Sequence, residues 1–353
     1  MNKEDNSIST ARLIALWALS ESMLGGLLHA AHIPFRGMII SSAAVIIICL
    51  IAFYSEKKGE ILRATIIVIM IKGAISPHTP VAAYLAVFLQ GVFGQLFFYK
   101  KKYFFLSSLL FGLTVGILTG SQRIISYTLI FGTTFWEAVN EFIRYVIKEL
   151  SITSNGNISF NFSLFLIAVY VTIHALCGTA AGLFASKLPK KINSEKTKGM
   201  LLDEKILFEG QAEIKNKFRS RKPWWKKLSY DLIVVMILLL LIITYINPQL
   251  INLSQKSLLL MVIRAIIITL VWFYFISPLI LKLIKKLLNK KENVYVNEVA
   301  GIISHFPYYK KIVSEIWKLS SQKKNLGRLS YFVTALISNI LTLKLPDNKG
   351  IYR

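Results

Sequence analysis

Apolar residues occur in long runs separated by short polar segments along most of the chain. The hydrocarbon core of a bilayer is about 30 Å thick, and roughly 20 helical residues cross it. Polar residues, and no basic leader, precede the first run, so we interpret this run as a retained helix and not a signal peptide. The pattern predicts an all-α polytopic membrane protein of about eight transmembrane helices. These spans are expected at residues 11–32, 36–55, 60–75, 80–99, 103–120, 160–186, 229–246 and 257–281.

The positions of the lysines predict the orientation of these spans in the membrane. Lys57 and Lys58 follow the second run, Lys100 follows the fourth, and Lys187 and Lys190 follow the sixth. The connections between the other runs carry little net charge. Because Lys and Arg accumulate on the cytoplasmic side of membrane proteins, the alternation predicts that both termini are cytoplasmic.

A change in composition after the sixth run predicts that the chain is divided into a membrane domain, a linker, a hairpin and a tail. Residues 1–190 form a six-helix membrane domain, in which an amphipathic helix at about 121–150 lies on the external surface. A basic linker follows at 191–228, and the slightly longer stretch 187–228 has 13 basic and 5 acidic side chains. It leads to a transmembrane hairpin at 229–286. Residues 287–353 form a basic cytoplasmic tail with apolar residues at helical spacing.

Composition narrows the class of protein further. Hydrophobic residues make up 54% of the chain and charged residues 17%, and the formal net charge is +24. In a membrane protein, cytoplasmic lysines explain this charge, so nucleic acid is not an expected partner. Cys49 and Cys177 lie in apolar runs, which argues against a disulfide scaffold. No phosphate-binding loop, His-Glu-x-x-His pair or Gly-x-Ser-x-Gly turn occurs in the sequence, so we predict neither an enzyme nor a cofactor in this chain.

Several polar residues fall inside the apolar runs. A charged group at the bilayer centre costs about 2.5–3.5 kcal/mol, so each one needs a physical reason. One interpretation is a cavity that is open to the outside and floored by Glu21, Gln90 and His174. The alternative is hydrogen bonding between helices, with Glu21 neutral. Residues expected near the external surface are His29, His32, Arg36, Lys72 and His78.

The three external histidines are weak candidates for a metal site. Imidazole is a common ligand of transition metals. However, His29 and His32 form only a pair with i, i+3 spacing, and no carboxylate or cysteine lies near them in the sequence. We therefore predict no metal site.

Small residues form two stripes at helical spacing. Ala11, Ala15 and Ala18 lie on the first run, and Gly178 and Gly182 lie on the sixth. Such stripes allow close approach of helices in lipid. The glycine stripe is expected to pack within the chain, whereas the alanine stripe is a candidate for docking another subunit.

The first six spans resemble the substrate-binding S components of energy-coupling factor (ECF) transporters over about residues 8–190. The resemblance rests on the alanine stripe, on Ile33-Pro34-Phe35-Arg36-Gly37, on the region from Gly59 to Gln95, and on the small-residue run from His174 to Gly182. The later part is somewhat similar to the end of a coupling T component. There, Gly327-Arg328-Leu329 is an approximate match to the motif that contacts the ATPase.

The resemblance implies a subunit of an uptake transporter in a prokaryotic inner membrane. Its substrate would be a vitamin-like molecule or a metal, and ATP would be hydrolysed on separate ATPase subunits. A separate transmembrane coupling subunit is a further possible partner. The substrate contacts that the resemblance implies are His29, His32, Arg36, Lys72, His78 and Trp136. The docking residues it implies are Ala11, Ala15, Ala18 and Arg328.

Two other functions remain open from the sequence alone. The chain is compatible with a scaffold subunit of an envelope complex, with the basic tail as its docking surface. It is also compatible with a membrane enzyme that acts on lipid-linked substrates, with Glu21 or Glu137 as the catalytic residue.

Overall fold

A computed structural model describes most of the chain. The described residues are 3–25, 28, 35–75, 81–100, 103–150, 160–192, 201–202, scattered positions between 259 and 282, and 292–342. Within these ranges the structure is helical and contains no strand. The helices are α1 (Lys3–Leu19), α2 (Arg36–Tyr54), α3 (Glu60–Ile75), α4 (Val81–Phe97), α5 (Phe104–Phe131), α6 (Thr134–Glu149), α7 (Phe162–Ile192), α8 (Glu292–Leu319) and α9 (Asn325–Thr342).

The predicted all-α class is confirmed, and three of the described helices are long and apolar enough to cross a membrane. They are α2, α5 and α7, and α4 is a shorter apolar helix. The predicted runs at 36–55 and 60–75 coincide closely with α2 and α3. The predicted span at 229–246 lies outside the described residues, and so does most of the span at 257–281.

The region around residue 120 differs from the prediction. The fifth span was expected to end at Gly120, with one amphipathic helix over 121–150. Instead α5 continues to Phe131, and α6 begins at Thr134. The break falls at Gly132, whose φ of 80° is a left-handed conformation that glycine adopts without a steric penalty. Gly120 does not end the helix because it packs against another helix at Val171.

The described residues divide into two compact units. The first contains residues 1–120, 171–214 and 280–353, and the second contains 121–170 and 215–279. Residues of the tail belong to the first unit. The predicted division of the chain at residue 190 stays a prediction.

Neighbouring helices of the first unit run in opposite directions. Gly91 of α4 lies against Thr65 of α3, and Gly94, one turn later, lies against Ile61, one turn earlier. The same reversal relates α5 and α7, because Gly112 faces Gly178 and Gly116 faces His174. Short connections favour such antiparallel neighbours.

The core of the first unit lies among α1, α2, α3 and the two C-terminal helices. The side chains of Trp17, Ile48 and Ile67 are almost completely buried. The tail contributes Tyr309 and Ile312 to the same core. The apolar stripe that the sequence predicts for the tail is thus covered by the chain itself, at α1 and α3.

The second unit contains the end of α5, helix α6 and the start of α7. Trp136 donates from Nε1 to Thr128 Oγ1 over 2.9 Å. Asn140 accepts a hydrogen bond from the backbone N–H of Ser163 at 2.8 Å, and Asn161 accepts one from Leu164 at 3.0 Å. These asparagines satisfy N–H groups at the start of α7 that lack intrahelical partners.

Candidate functional site

A buried ion pair joins the segment that directly follows α1 to α3. Lys72 Nζ donates to Glu21 Oε2 over 2.8 Å, and the side chains are 7% and 4% exposed. Removing two charges from water is costly, and only close pairing and additional hydrogen bonds offset the cost. The mid-span position of Glu21 is therefore explained by a polar partner on another helix. The choice between a substrate cavity and a structural contact between helices stays a prediction.

Glu21 lies in an unusual backbone segment. Residues Ser20–Leu24 form one turn of π-helix directly after α1. Single π turns within α-helices are rare and occur frequently at functional sites. The wider turn places Glu21 opposite the last turn of α3, which carries Lys72.

The pair does not satisfy all of its polar atoms. Glu21 Oε1 is buried and accepts no hydrogen bond from the described residues. In α4, Gln90 is 6% exposed, and its Oε1 also lacks a donor among the described residues. Buried polar atoms normally have partners, so orphaned acceptors are candidates for contact with a ligand or water.

His174 lies in a different contact of the first unit. It is 2% exposed, and its ring centroid lies 6.1 Å from that of Phe35. Phe35 has a φ of 56° and directly precedes α2. Two glycines of α5, Gly116 and Gly120, lie against His174. The buried position of His174 is thus fixed by small residues and an aromatic ring.

The other predicted contacts are distributed over the chain. Arg36 is the first residue of α2 and is partly exposed. Trp136 belongs to the second unit. His29, His32 and His78 lie outside the described residues. Within the described part of the chain, no three His, Cys, Asp or Glu side chains are grouped as metal ligands would be.

The two predicted stripes have different surroundings. The glycine stripe packs within the chain as predicted, because Gly178 meets Gly112 and Gly182 meets Ser108 on α5. In the alanine stripe, Ala15 and Ala18 are 3% and 0% exposed, so they too are covered by this chain. Docking of a separate subunit on the alanines stays a prediction.

Sequence reasoning missed the polar links between the membrane helices and the tail. Arg12 of α1 donates to the carbonyl oxygens of Ile340 and Leu341, over 3.3 and 2.6 Å, at the end of α9. Arg63 of α3 pairs with Glu298 of α8 at 2.8 Å and also with Glu60. The only sequence signal was a basic residue near the start of two apolar runs, Arg12 in 11–32 and Arg63 in 60–75.

Arg328 lies in the first turn of α9, close to the connection from α8. Its guanidinium lies 4.4 Å from the centroid of the Trp317 ring, and its Nε donates to Ser320 Oγ over 3.3 Å. Trp317 and Leu329 are 50% and 55% exposed beside it. Arg328 is thus held in a fixed position at the tip of the helical hairpin, within an exposed apolar surface.

Comparison with known proteins identifies no relative of this chain. No family model, curated protein or solved structure matches the chain. Its function therefore has to be argued from its own residues.

Proposed function

We propose that this chain is a membrane subunit of an ECF-type uptake transporter, in which the C-terminal helices of the same chain act as coupling helices. The observation that carries the proposal is the contact of α1 with α8 and α9. The resemblance assigns the alanine stripe of α1 to docking on coupling helices. In this chain the helix with the stripe packs on the tail, and Arg12 links it to the end of α9.

The positions of the charged residues support different roles for the two ends of the first unit. Lys57 and Lys58 lie in the connection between α2 and α3. Lys191 lies at the end of α7 and donates to Ser330 of α9 over 2.8 Å. The Glu21–Lys72 pair lies toward the opposite ends of α1 and α3. We assign the lysine-bearing end to the cytoplasm, because basic residues are retained there. The ion pair then lies in the outer half of the membrane, where a substrate from outside would arrive.

Orientation is testable with single cysteines in a variant that lacks Cys49 and Cys177. Lys58 and Glu137 are both exposed in the structure. A cysteine at position 137 is expected to react with an impermeant thiol reagent in intact cells, and one at position 58 only after permeabilisation. The reverse result would place the lysine-bearing end outside and remove the basis for the substrate site.

The transport proposal is tested by purification of the full chain from its native host in mild detergent. We expect ATPase subunits to co-purify, and the Arg328→Glu variant to lose them while it still inserts. A control with Lys318→Glu changes a charge of the same sign on α8, where Lys318 pairs only with Glu315 among the described residues. Co-purification of secretion or glycan-assembly proteins without an ATPase would favour the scaffold or enzyme function instead.

A further inference from the structure

We propose that the Glu21–Lys72 pair is the binding site of a zwitterionic small molecule, one that carries both an amine and an acid group. The inference rests on the proposed uptake function and names the substrate class. A free ligand of this kind would exchange partners with the pair: its ammonium group would bind Glu21, and its acid group would bind Lys72.

The first step of the argument is the charge balance of the site. Glu21 and Lys72 are both more than nine-tenths buried, and they neutralise each other across 2.8 Å. A ligand with one charge would pair with one of them and leave the other buried without a counterion. An uncompensated buried charge is strongly unfavourable, so a singly charged ligand gains little by entering.

A zwitterion avoids this penalty. It supplies an anion for the ammonium group of Lys72 and a cation for the carboxylate of Glu21, so the total charge of the site stays zero. Charge-assisted hydrogen bonds are roughly twice as strong as neutral ones, and two of them would replace the one that is broken. The ion pair itself thus imitates the two charges of the ligand.

The second step concerns the unused hydrogen-bonding capacity of the pair. Glu21 Oε1 is buried and accepts no hydrogen bond from the described residues. It is therefore available to a ligand amine before the bond to Lys72 breaks. An ammonium group of lysine has three donors, and Glu21 accepts one of them in the structure, so Lys72 retains donors for an acid group.

The third step is the position of the pair in the chain. Glu21 is carried by the π turn Ser20–Leu24, and two glycines, Gly25 and Gly26, follow it in the sequence. Lys72 is followed directly by Gly73. Single π turns next to α-helices are rare and lie frequently at functional sites. The backbone that carries Glu21 thus has a geometry that is typical of a binding site.

The test uses the purified full-length protein and three matched sets of probes. The first set is the twenty protein amino acids and γ-aminobutyrate, the second their decarboxylated amines, and the third their deaminated acids. We expect at least one zwitterion at saturating concentration to raise the melting temperature by roughly 2–5 °C, as binding to the folded state alone requires. The corresponding amine and acid are expected to bind at least tenfold more weakly.

Variants then connect the binding to the pair. Glu21→Gln with Lys72→Met removes both charges together, so no buried charge is orphaned and the fold is expected to persist. This double variant should lose the zwitterion-induced shift. The same two substitutions at Glu315 and Lys318, an exposed pair on α8, form the matched control and should retain it.

The outcomes separate this inference from the transport proposal. If no zwitterion binds, or if an amine or acid binds as well as its zwitterion, the substrate class is wrong, even where ATPases co-purify. If the double variant still binds the zwitterion, the site is wrong. If zwitterions bind through the pair but no ATPase co-purifies, the substrate class stands and the ECF-type function falls.

Discussion

The contact between α5 and α7 and the contact between α1 and α3 belong to the same compact unit, yet they hold helices together by opposite means. Between α5 and α7, glycines bring backbone against backbone, as where Gly112 and Gly178 face each other's carbonyl oxygens. Between α1 and α3, two long charged side chains meet as Glu21 and Lys72. The first contact leaves no space for a side chain, whereas the second consists of groups that have alternative partners.

The difference indicates which contact is suited to change during function. Close packing of small residues gains dispersion energy over many atoms and has one low-energy arrangement. A buried ion pair can be replaced by a ligand that offers the same charges. We therefore expect α5 and α7 to move as one body and the α1–α3 contact to respond to substrate.

The largest expected effect follows from the removal of one charge from the pair. Lys72→Met leaves Glu21 buried without a counterion, so we expect a loss of about 3–5 kcal/mol in stability or a failure to insert. Lys318→Met, which breaks an exposed pair, should cost less than about 1 kcal/mol. Thermal unfolding in detergent measures both.

The double variant Glu21→Gln with Lys72→Met sharpens this result. Because replacement of a whole buried pair is often close to neutral, its stability should return toward that of the wild type. A double variant as unstable as Lys72→Met alone would contradict the account of the pair as a compensated charge, since the loss would then come from packing.

The second prediction addresses the glycine contact. Gly178→Ala places a Cβ within 3.0 Å of the Gly112 carbonyl oxygen, so the two backbones must separate. We expect a loss of about 1–3 kcal/mol, as overpacking generally causes. Thermal unfolding in detergent is again the measurement.

Gly327→Ala is the matched control for that substitution. Gly327 lies in α9, and a Cβ there meets nothing within 4 Å. Alanine has the higher helix propensity, so this variant should gain up to about 1 kcal/mol. Equal behaviour of the two alanines would show that α5 and α7 are not in close contact in the folded protein.

Part of the fold could be predicted from the sequence, because the apolar runs at 36–55 and 60–75 each form one helix. The first run was expected to begin at residue 11, but α1 begins at Lys3. The bounds of α2 and α3 were predicted to within one residue. The continuation of α5 through Gly120 could not be predicted, since glycine usually signals a helix end. Here its lack of a side chain serves packing against Val171.

The candidate site could be predicted only in part. Glu21 and Lys72 were each conspicuous as charges in apolar runs, but their pairing depends on the relative rotation of α1 and α3, which hydropathy does not encode. Arg12 was missed for a related reason. Its partners are backbone carbonyls of residues 340 and 341, more than 300 positions away. Every residue has a carbonyl group, so residue types do not show which one will accept a hydrogen bond.

The smallest expected effect concerns a third contact, where α1 meets α8. His305 is 4% exposed, and burial together with the nearby Arg12 guanidinium lowers the pKa of its imidazole below the ordinary value of 6.5. His305 Nδ1 has no hydrogen-bond partner among the described residues. A proton on this ring would add a second positive charge beside Arg12 in a buried position, so the folded state favours the neutral ring.

Stability should therefore depend on pH in a definite direction. Because the pKa of His305 is lower in the folded state, the unfolded state binds more protons as the pH falls below 6.5. The stability that the neutral ring contributes is therefore present above pH 6.5 and is lost as the pH falls below it. The loss of stability should not exceed about 1.4 kcal/mol per pH unit for one proton.

Hydrogen exchange of the amides in α8 and α9, compared at pH 7.5 and 5.5, should show faster opening at the lower pH. His305→Gln cannot titrate and should reduce that difference. An equal difference in the His305→Gln variant would assign the pH dependence to other groups and leave the α1–α8 contact insensitive to protons. In that case the contrast between a rigid glycine contact and responsive polar contacts would be confined to Glu21 and Lys72.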